Sequence, residues 1–333
     1  MLEPAPANLV DAGRQRLGRF AGPIARVNLI DAPYLRLPRP LRRLRLKEWE
    51  AAQIAAPGVF VNVALFDAKL LQLLQVKVYE HATGEKTVIE HKLRPGAFKV
   101  ADQLLDSTTR YADRRGSLVF RNELARGRIA IEIDVGSISG QIELHTDRGA
   151  SHVASLPFAG DVGMYSHKGM FPASGHVAVN ARRHELGEAL ALLDDHKGYY
   201  PYVMRWDWVT AAKRRGGRAV GFNLTRNQCR DPERYNENCA WIDDRIGLLP
   251  RVMFEREHER QPNERWTIRD RDGHVDLTFE PLVPGDVRVN ALIVESRYRG
   301  PFGTFTGRLA PEGMDAIEVD GWFGMGEDFH LRC

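Results

Sequence analysis

Cysteine is scarce in this 333-residue chain, charge of one sign is hardly in excess, and long apolar runs are missing. Cys229, Cys239 and Cys333 cannot make an even disulfide framework and show no C-x-x-C spacing for a metal, so they suit a reducing compartment. The 47 Lys and Arg stand against 44 Asp and Glu, interleaved, for a net charge of +3. A field that weak gives no reason to expect a nucleic-acid partner. No run approaches the roughly 18 apolar residues of a spanning helix. Residues 1–15 lack the basic start and apolar stretch of a secretory signal. The expectation is a soluble, cytoplasmic protein.

Familiar catalytic signatures are missing too. Gly84-Glu85-Lys86-Thr87 lacks the upstream glycine of a phosphate-binding loop, and Gly136-Ser137-Ile138-Ser139-Gly140 carries Ile where a nucleophilic serine would stand. The 11 histidines are scattered, with no H-E-x-x-H pair, so no metal site and no cofactor is expected.

What is present is alternation. Val59–Leu65, Leu70–Tyr79, Lys86–His91, Ser117–Arg121, Arg128–Asp134 and Ser139–His145 read as period-two strands with turn residues between them. A second series opens with Tyr200–Trp208 and continues through Ala219–Leu224, Cys239–Ile242, Leu248–Phe254, Trp266–Arg269, His274–Phe279, Val287–Glu295, Thr304–Leu309 and Ala316–Phe323. Only Lys47–Ala55 and Arg183–Leu193 look helical, with no βαβ rhythm, and the first fifty residues and the stretch 147–187 look loop-rich. At about 100–200 residues per domain the length suits two. The expected fold is all-β, two consecutive antiparallel barrels with few short helices, divided as 1–186 and 187–333. Closure would protect the strand edges and leave apolar hollows.

The chemistry concentrates between Asp194 and Trp208, where acids, a histidine, three tyrosines and two tryptophans share fifteen residues. A strand entering at Tyr200 would put Tyr200, Tyr202, Met204, Trp206 and Trp208 on one face as an aromatic wall, against either a core or a ligand. A carboxyl beside such a wall loses the hydration of its charged form and can donate a proton near neutral pH. Asp194 and Asp195 are the candidates, the alternative for each being a turn or capping carboxylate. Asn223, Asn236, Glu237 and Asn238 form a second polar group, contacting a ligand or fixing strand register. Tyr165, His167 and Lys168 form a third, on a loop at a barrel mouth or in solvent. The basic Arg36–Lys47 stretch, with leucines interspersed, is either a solvated face or a transient contact with a membrane surface.

Several of these motifs carry a resemblance. Leu46-Lys47-Glu48-Trp49-Glu50-Ala51, Tyr165-Ser166-His167-Lys168, Asp195-His196-Lys197-Gly198 through Trp206-Asp207-Trp208, Gly221-Phe222-Asn223-Leu224, Asn236-Glu237-Asn238 and Phe302-Gly303-Thr304-Phe305-Thr306-Gly307 resemble the bacterial domain-of-unknown-function 2804 family over nearly the whole chain. More distantly the chain is similar to the lipocalin-like group of carotenoid hydratases and tocopherol cyclases. That resemblance implies two consecutive lipocalin-like barrels around a hydrophobic small molecule, an isoprenoid, polyene or unsaturated lipid. It further implies protonation of an alkene by a carboxylic acid, then hydration or cyclisation. Asp195, or Asp194, would be the proton donor, with Glu237 and Tyr202 positioning, His167 contacting water or substrate, and Tyr200, Tyr202, Trp206 and Trp208 offering ring faces to a cation. A non-catalytic lipid-binding protein would share the same wall. The chain closes on Phe329-His330-Leu331-Arg332-Cys333 where the family resemblance leads one to expect Arg-Trp, which puts the seal of the last strand in question.

Overall fold

Alternating apolar residues bury one face of a strand only if a second layer covers it, and here each sheet curls over its own apolar face. The computed structural model describes residues 2–158, 162–257, 264–291 and 294–332, with backbone alone for 286–291 and 294–296. The first sheet has fourteen strands. Its main path runs Glu85–Leu93, Gln72–Glu80, Val59–Asp67, Leu46–Ala55, Ala189–Tyr199, Gly163–Val179, Ile138–His145, Arg128–Val135, Gly116–Glu123 and Ser107–Asp113, each antiparallel to the next. The concave side is filled by its own side chains, among them Val61, Val63, Leu74, Val76, Ile131 and Phe171. Each such side chain contributes about 1.5–3 kcal/mol on burial.

The second sheet has eleven strands. Val203–Arg215 and Ile317–Arg332 lie side by side at its centre, and Phe222, Trp266, Phe279, Phe305 and Trp322 fill its concave side. The last strand is hydrogen-bonded to Arg332 at its end, with Val203 on one side and Glu295 on the other, so it is sealed without the expected Arg-Trp. Cys333 lies outside the described residues.

The two barrels expected from sequence are curled, open half-barrels. In the first sheet Glu85–Leu93 and Ser107–Asp113 end the path and do not pair; in the second, Arg245–Leu248 and Met253–Arg256 do the same. The edge strand Glu85–Leu93 is protected instead by Glu85, Lys86, Glu90 and Lys92, charges that deter a further strand. Both concave sides are lined by their own apolar side chains, and open space lies where the sheets meet back to back. There Trp49 meets Trp206 (5.5 Å between ring centroids), Phe60 meets Phe302 (4.9 Å) and Tyr79 meets Phe323 (4.7 Å).

Two expectations about local structure are corrected. Lys47–Ala55 is strand, within Leu46–Ala55, and Arg183–Leu193 spans the strand Arg182–Glu185, a turn at 186–188 and the start of the strand Ala189–Tyr199, although their Ala, Glu and Leu content favours helix; flanking strands satisfy both edges of Leu46–Ala55, which overrides a weak local preference. The helix is Arg39–Arg45, inside the basic stretch. Tyr165–Lys168 is no loop but part of the 17-residue strand Gly163–Val179, which bends at Gly175 (φ +113°), where a Cβ would sit 2.0 Å from the Gln141 carbonyl oxygen. Ala189–Tyr199 pairs on both sides within the first sheet, and the chain passes to the second sheet between Tyr199 and Val203.

Candidate ligand cavity and active site

Strand register decides which side chains meet. Ala51, Asp194 and Lys168 are aligned across three neighbouring strands, and Trp49, His196 and Ser166 form the next row. Both rows turn toward the second sheet. The intervening rows, Glu50–Asp195–His167 and Glu48–Lys197–Tyr165, turn the other way, toward the first sheet's own core. Asp194 and Asp195 therefore belong to different environments.

The first environment is a cavity of about 230 Å³ between the sheets, walled by Trp49, Phe66, Leu73, Trp206, Trp208 and Phe329 with Asp194, Glu237, Glu327 and Lys168 among them. Trp49 stacks on His196 at 3.9 Å and Trp206 on Phe329 at 3.9 Å. Lys168 Nζ donates to Asp194 Oδ1 (2.6 Å), Trp49 Nε1 donates to Asp194 Oδ2 (3.2 Å), and Lys168 lies 3.8 Å from Glu237 Oε2. Among the described residues that Glu237 oxygen has no hydrogen-bond partner. Burial works against the Lys168 ammonium, but Asp194 and Glu237 hold its pKa above the ordinary lysine value. Trp208 Nε1 donates to Asn223 Oδ1 (2.7 Å), and Asn223 Nδ2 donates to the Glu237 carbonyl (2.9 Å), so Asn223 places both. Tyr200 pairs through its hydroxyl with His196 Nε2; burial, with Lys168 and Lys197 nearby, keeps that imidazole well below its usual pKa.

Across the cavity, Glu327 accepts from Tyr298 Oη (2.8 Å) and Trp206 Nε1 (3.2 Å), and Lys77 Nζ donates to the same tyrosine oxygen (3.1 Å). Burial raises the Glu327 pKa and lowers that of Lys77 to about 8, so this acid holds its proton more readily than a solvated glutamate.

The second environment is fully buried, with Glu50, Asp195 and His167 each 0% exposed. Asp195 lies 3.5 Å from Lys197 Nζ, which donates to the Ala101 carbonyl (2.6 Å). Burial lifts Glu50 to about 8, with the Asp195 charge adding to it; burial also lifts Asp195 to about 6, opposed by Lys197. Burial lowers His167 to about 4, and its Nδ1 is 3.4 Å from the Tyr165 hydroxyl.

Of the residues expected from sequence, the structure brings Asp194, Glu237, Lys168, Tyr200, Trp206 and Trp208 to the cavity, with Asn223 bracing it. Asp195, Tyr165 and His167 stand behind the sheet. Tyr202 is 57% exposed and outside the wall, because the strand begins at Val203 and the alternation counted from Tyr200 does not extend through the intervening turn. The Asn236 and Asn238 amides bond to backbone, Asn236 Nδ2 to the Pro232 carbonyl (3.0 Å) and Asn238 Nδ2 to the Pro250 carbonyl (2.8 Å), and so hold the loop that carries Glu237. Trp49, His196, Tyr298, Glu327 and Phe329 were not anticipated. The signal for Glu327 was available: Phe323, Met325, Glu327, Phe329 and Leu331 share one strand face, with an acid in the middle.

A second, polar chamber of about 840 Å³ adjoins the cavity and shares Trp206, Glu237, Tyr298 and Phe329 with it. Among the described residues, Asp270, Asp272 and His274 come close enough to share a cation, but they line neither space, and Asp270 already accepts from the backbone N–H groups of Asp272 (2.9 Å) and Val275 (2.7 Å).

This is an all-β protein of lipocalin-like type, two curled sheets enclosing an apolar cavity furnished with acids. The chain belongs to the family described as Domain of unknown function (DUF2804), whose model matches residues 5–333. Among curated proteins none matches the sequence. In fold it is similar to kievitone hydratase from Nectria haematococca, at 12% identity and a TM-score of 0.52 over 86% of this chain and 88% of that one. A putative AttH from Nitrosomonas europaea aligns at 15% identity and a TM-score of 0.49 (85% and 92% covered), and CghA at 14% and 0.49 (85% and 87%).

Proposed function

We propose that the protein binds a hydrophobic small molecule, an isoprenoid, polyene or other unsaturated lipid, in the cavity between its sheets, and hydrates or cyclises it by protonating an alkene. The observation that carries this reading is Glu327, a half-buried cavity-lining carboxyl of raised pKa that accepts from the Trp206 indole N–H, beside the stacked rings of Trp206 and Phe329. The solved structure of a hydratase with the same fold is consistent with it.

In this reading Glu327, not Asp195, is the acid. Its O–H bond breaks as a C–H bond forms on the alkene, the cation is held over Trp49, Trp206 and Trp208, and water or an internal nucleophile closes the reaction while returning a proton to the carboxylate. The Lys168–Asp194 pair and the unpartnered Glu237 oxygen orient water or a polar end of the ligand, and the adjoining chamber gives that end room. No step requires a cofactor.

The test is Glu327→Gln. Compounds co-purifying with wild-type protein are identified by mass spectrometry and followed on incubation. Glu327→Gln should retain the compound and lose at least about a hundredfold of its conversion, the usual scale of a general acid, whereas Asp195→Asn should convert it nearly normally. Full turnover by Glu327→Gln rejects the assignment. One observation favours a non-catalytic carrier: both Glu327 oxygens already accept hydrogen bonds. A bound compound that wild-type protein leaves unchanged would establish that alternative.

A further inference from the structure

Among the described residues nine large apolar side chains are exposed, and six of them, Leu35, Leu41, Leu44, Leu70, Leu71 and Tyr202, gather at one end of the first sheet. The register places them there. Leu46–Ala55 begins where Val59–Asp67 and Ala189–Tyr199 end, so the helix Arg39–Arg45, the turn after Asp67 and the link after Tyr199 are neighbours. Side-chain contacts tie the same segments together. Lys47 Nζ donates to the Ala68 carbonyl (2.7 Å), Arg45 Nη2 to the Tyr200 carbonyl (3.4 Å), and Tyr34 stacks on Tyr199 at 4.4 Å. Exposed leucines at 42–67% accessibility are unusual beside one another in a soluble face.

Basic charge predominates at this end, where Arg39 pairs with Asp31 (3.0 Å) and Lys69 with Asp67 (2.6 Å) and Glu48. Residues 32–47 contain six Arg and Lys and no Asp or Glu. Arg36 and Arg43 are exposed and make no hydrogen bond or ion pair with the described residues. Four of the five leucines have a basic neighbour in sequence, Leu35 beside Arg36, Leu41 beside Arg42, Leu44 beside Arg43 and Leu70 beside Lys69. Leu35 and Arg36 are held at φ +49° and +52°, a conformation uncommon for side chains with a Cβ, and both side chains are exposed, so the backbone keeps this tip turned outward at some energetic cost. This is also where the cavity opens, since Ala68, Leu70 and Leu71 line it.

We infer that this end docks on an anionic phospholipid surface, arginines at the phosphates and leucines in the acyl boundary, so that an apolar ligand passes between bilayer and cavity without crossing water. The inference rests on the cavity being the ligand site.

The experiment uses the full chain with vesicles of phosphatidylcholine alone or mixed with phosphatidylglycerol, read by co-sedimentation at low and physiological salt. In parallel, N-phenyl-1-naphthylamine is supplied without vesicles to read the cavity by fluorescence. Wild-type protein should bind phosphatidylglycerol vesicles at least about tenfold more tightly than neutral ones, and Arg36→Glu with Arg43→Glu should lose at least about tenfold, since each arginine near such a surface is worth about fivefold. Leu41→Ser with Leu44→Ser should lose severalfold at either salt, and both pairs should take up the naphthylamine as wild type does. Absence of vesicle binding by wild type, or binding that neither pair changes, overturns the inference. So does retention on immobilised polyglutamate without vesicle binding, which would indicate an acidic protein partner. Vesicle binding without naphthylamine uptake would sustain the docking face and refute the cavity reading.

Discussion

Replacing Glu50 by Gln should stabilise the protein, and the gain should grow with pH. In the folded state this carboxyl, buried beside Asp195, keeps its proton up to about 8, whereas in the unfolded chain it ionises near the ordinary 4.5. Between those values the folded protein binds more protons than the unfolded one, so stability falls as pH rises through 4.5, and the loss is complete above about 8. At 1.36 kcal/mol per tenfold in proton affinity, the interval bounds the penalty at about 5 kcal/mol. Lys197 compensates part of the charge, and Asp195, lifted to about 6, titrates jointly with Glu50. An advantage of about 2 kcal/mol for Glu50→Gln at pH 8 follows, shrinking toward zero at about pH 4, where Gln replaces a neutral acid of the same shape. Urea unfolding of both proteins across that range, followed by tryptophan fluorescence, measures it. A variant no more stable than wild type at pH 8, or favoured more at pH 4 than at pH 8, refutes the reasoning.

Lys168→Met leaves Asp194 buried without its cation and should cost about 3 kcal/mol; adding Asp194→Leu should recover most of it, as read from melting temperatures of the single and double variants. Trp206→Ala removes a ring stacked on Phe329 and should weaken uptake of an apolar fluorescent probe by at least about tenfold, or about 1.4 kcal/mol. Tyr202→Ala, which alters an exposed side chain, should leave that uptake unchanged; equal losses in the two variants would restore Tyr202 to the cavity wall.

Strand content was legible because alternation is local. Arg128–Asp134 and Ser139–His145 lie on strands, since a half-buried strand repeats its pattern every second residue whatever it pairs with. Leu46–Ala55 misled for a physical reason. It carries Glu48 and Glu50 on one face and Trp49, Ala51 and Gln53 on the other, both buried, so no polar face remained to reveal period two.

By itself the sequence determined that the chain is built from many short antiparallel strands and that its chemistry gathers near Asp194–Trp208, because both follow from side chains close along the chain. Only the tertiary structure decided that the half-barrels stay open, that Asp194 and Asp195 part to opposite sides, and that Trp49 meets Trp206 and Glu327 at one cavity. Those outcomes depend on which strands pair and in what register. A shift of one residue would exchange the two faces and hand the cavity a different set of acids.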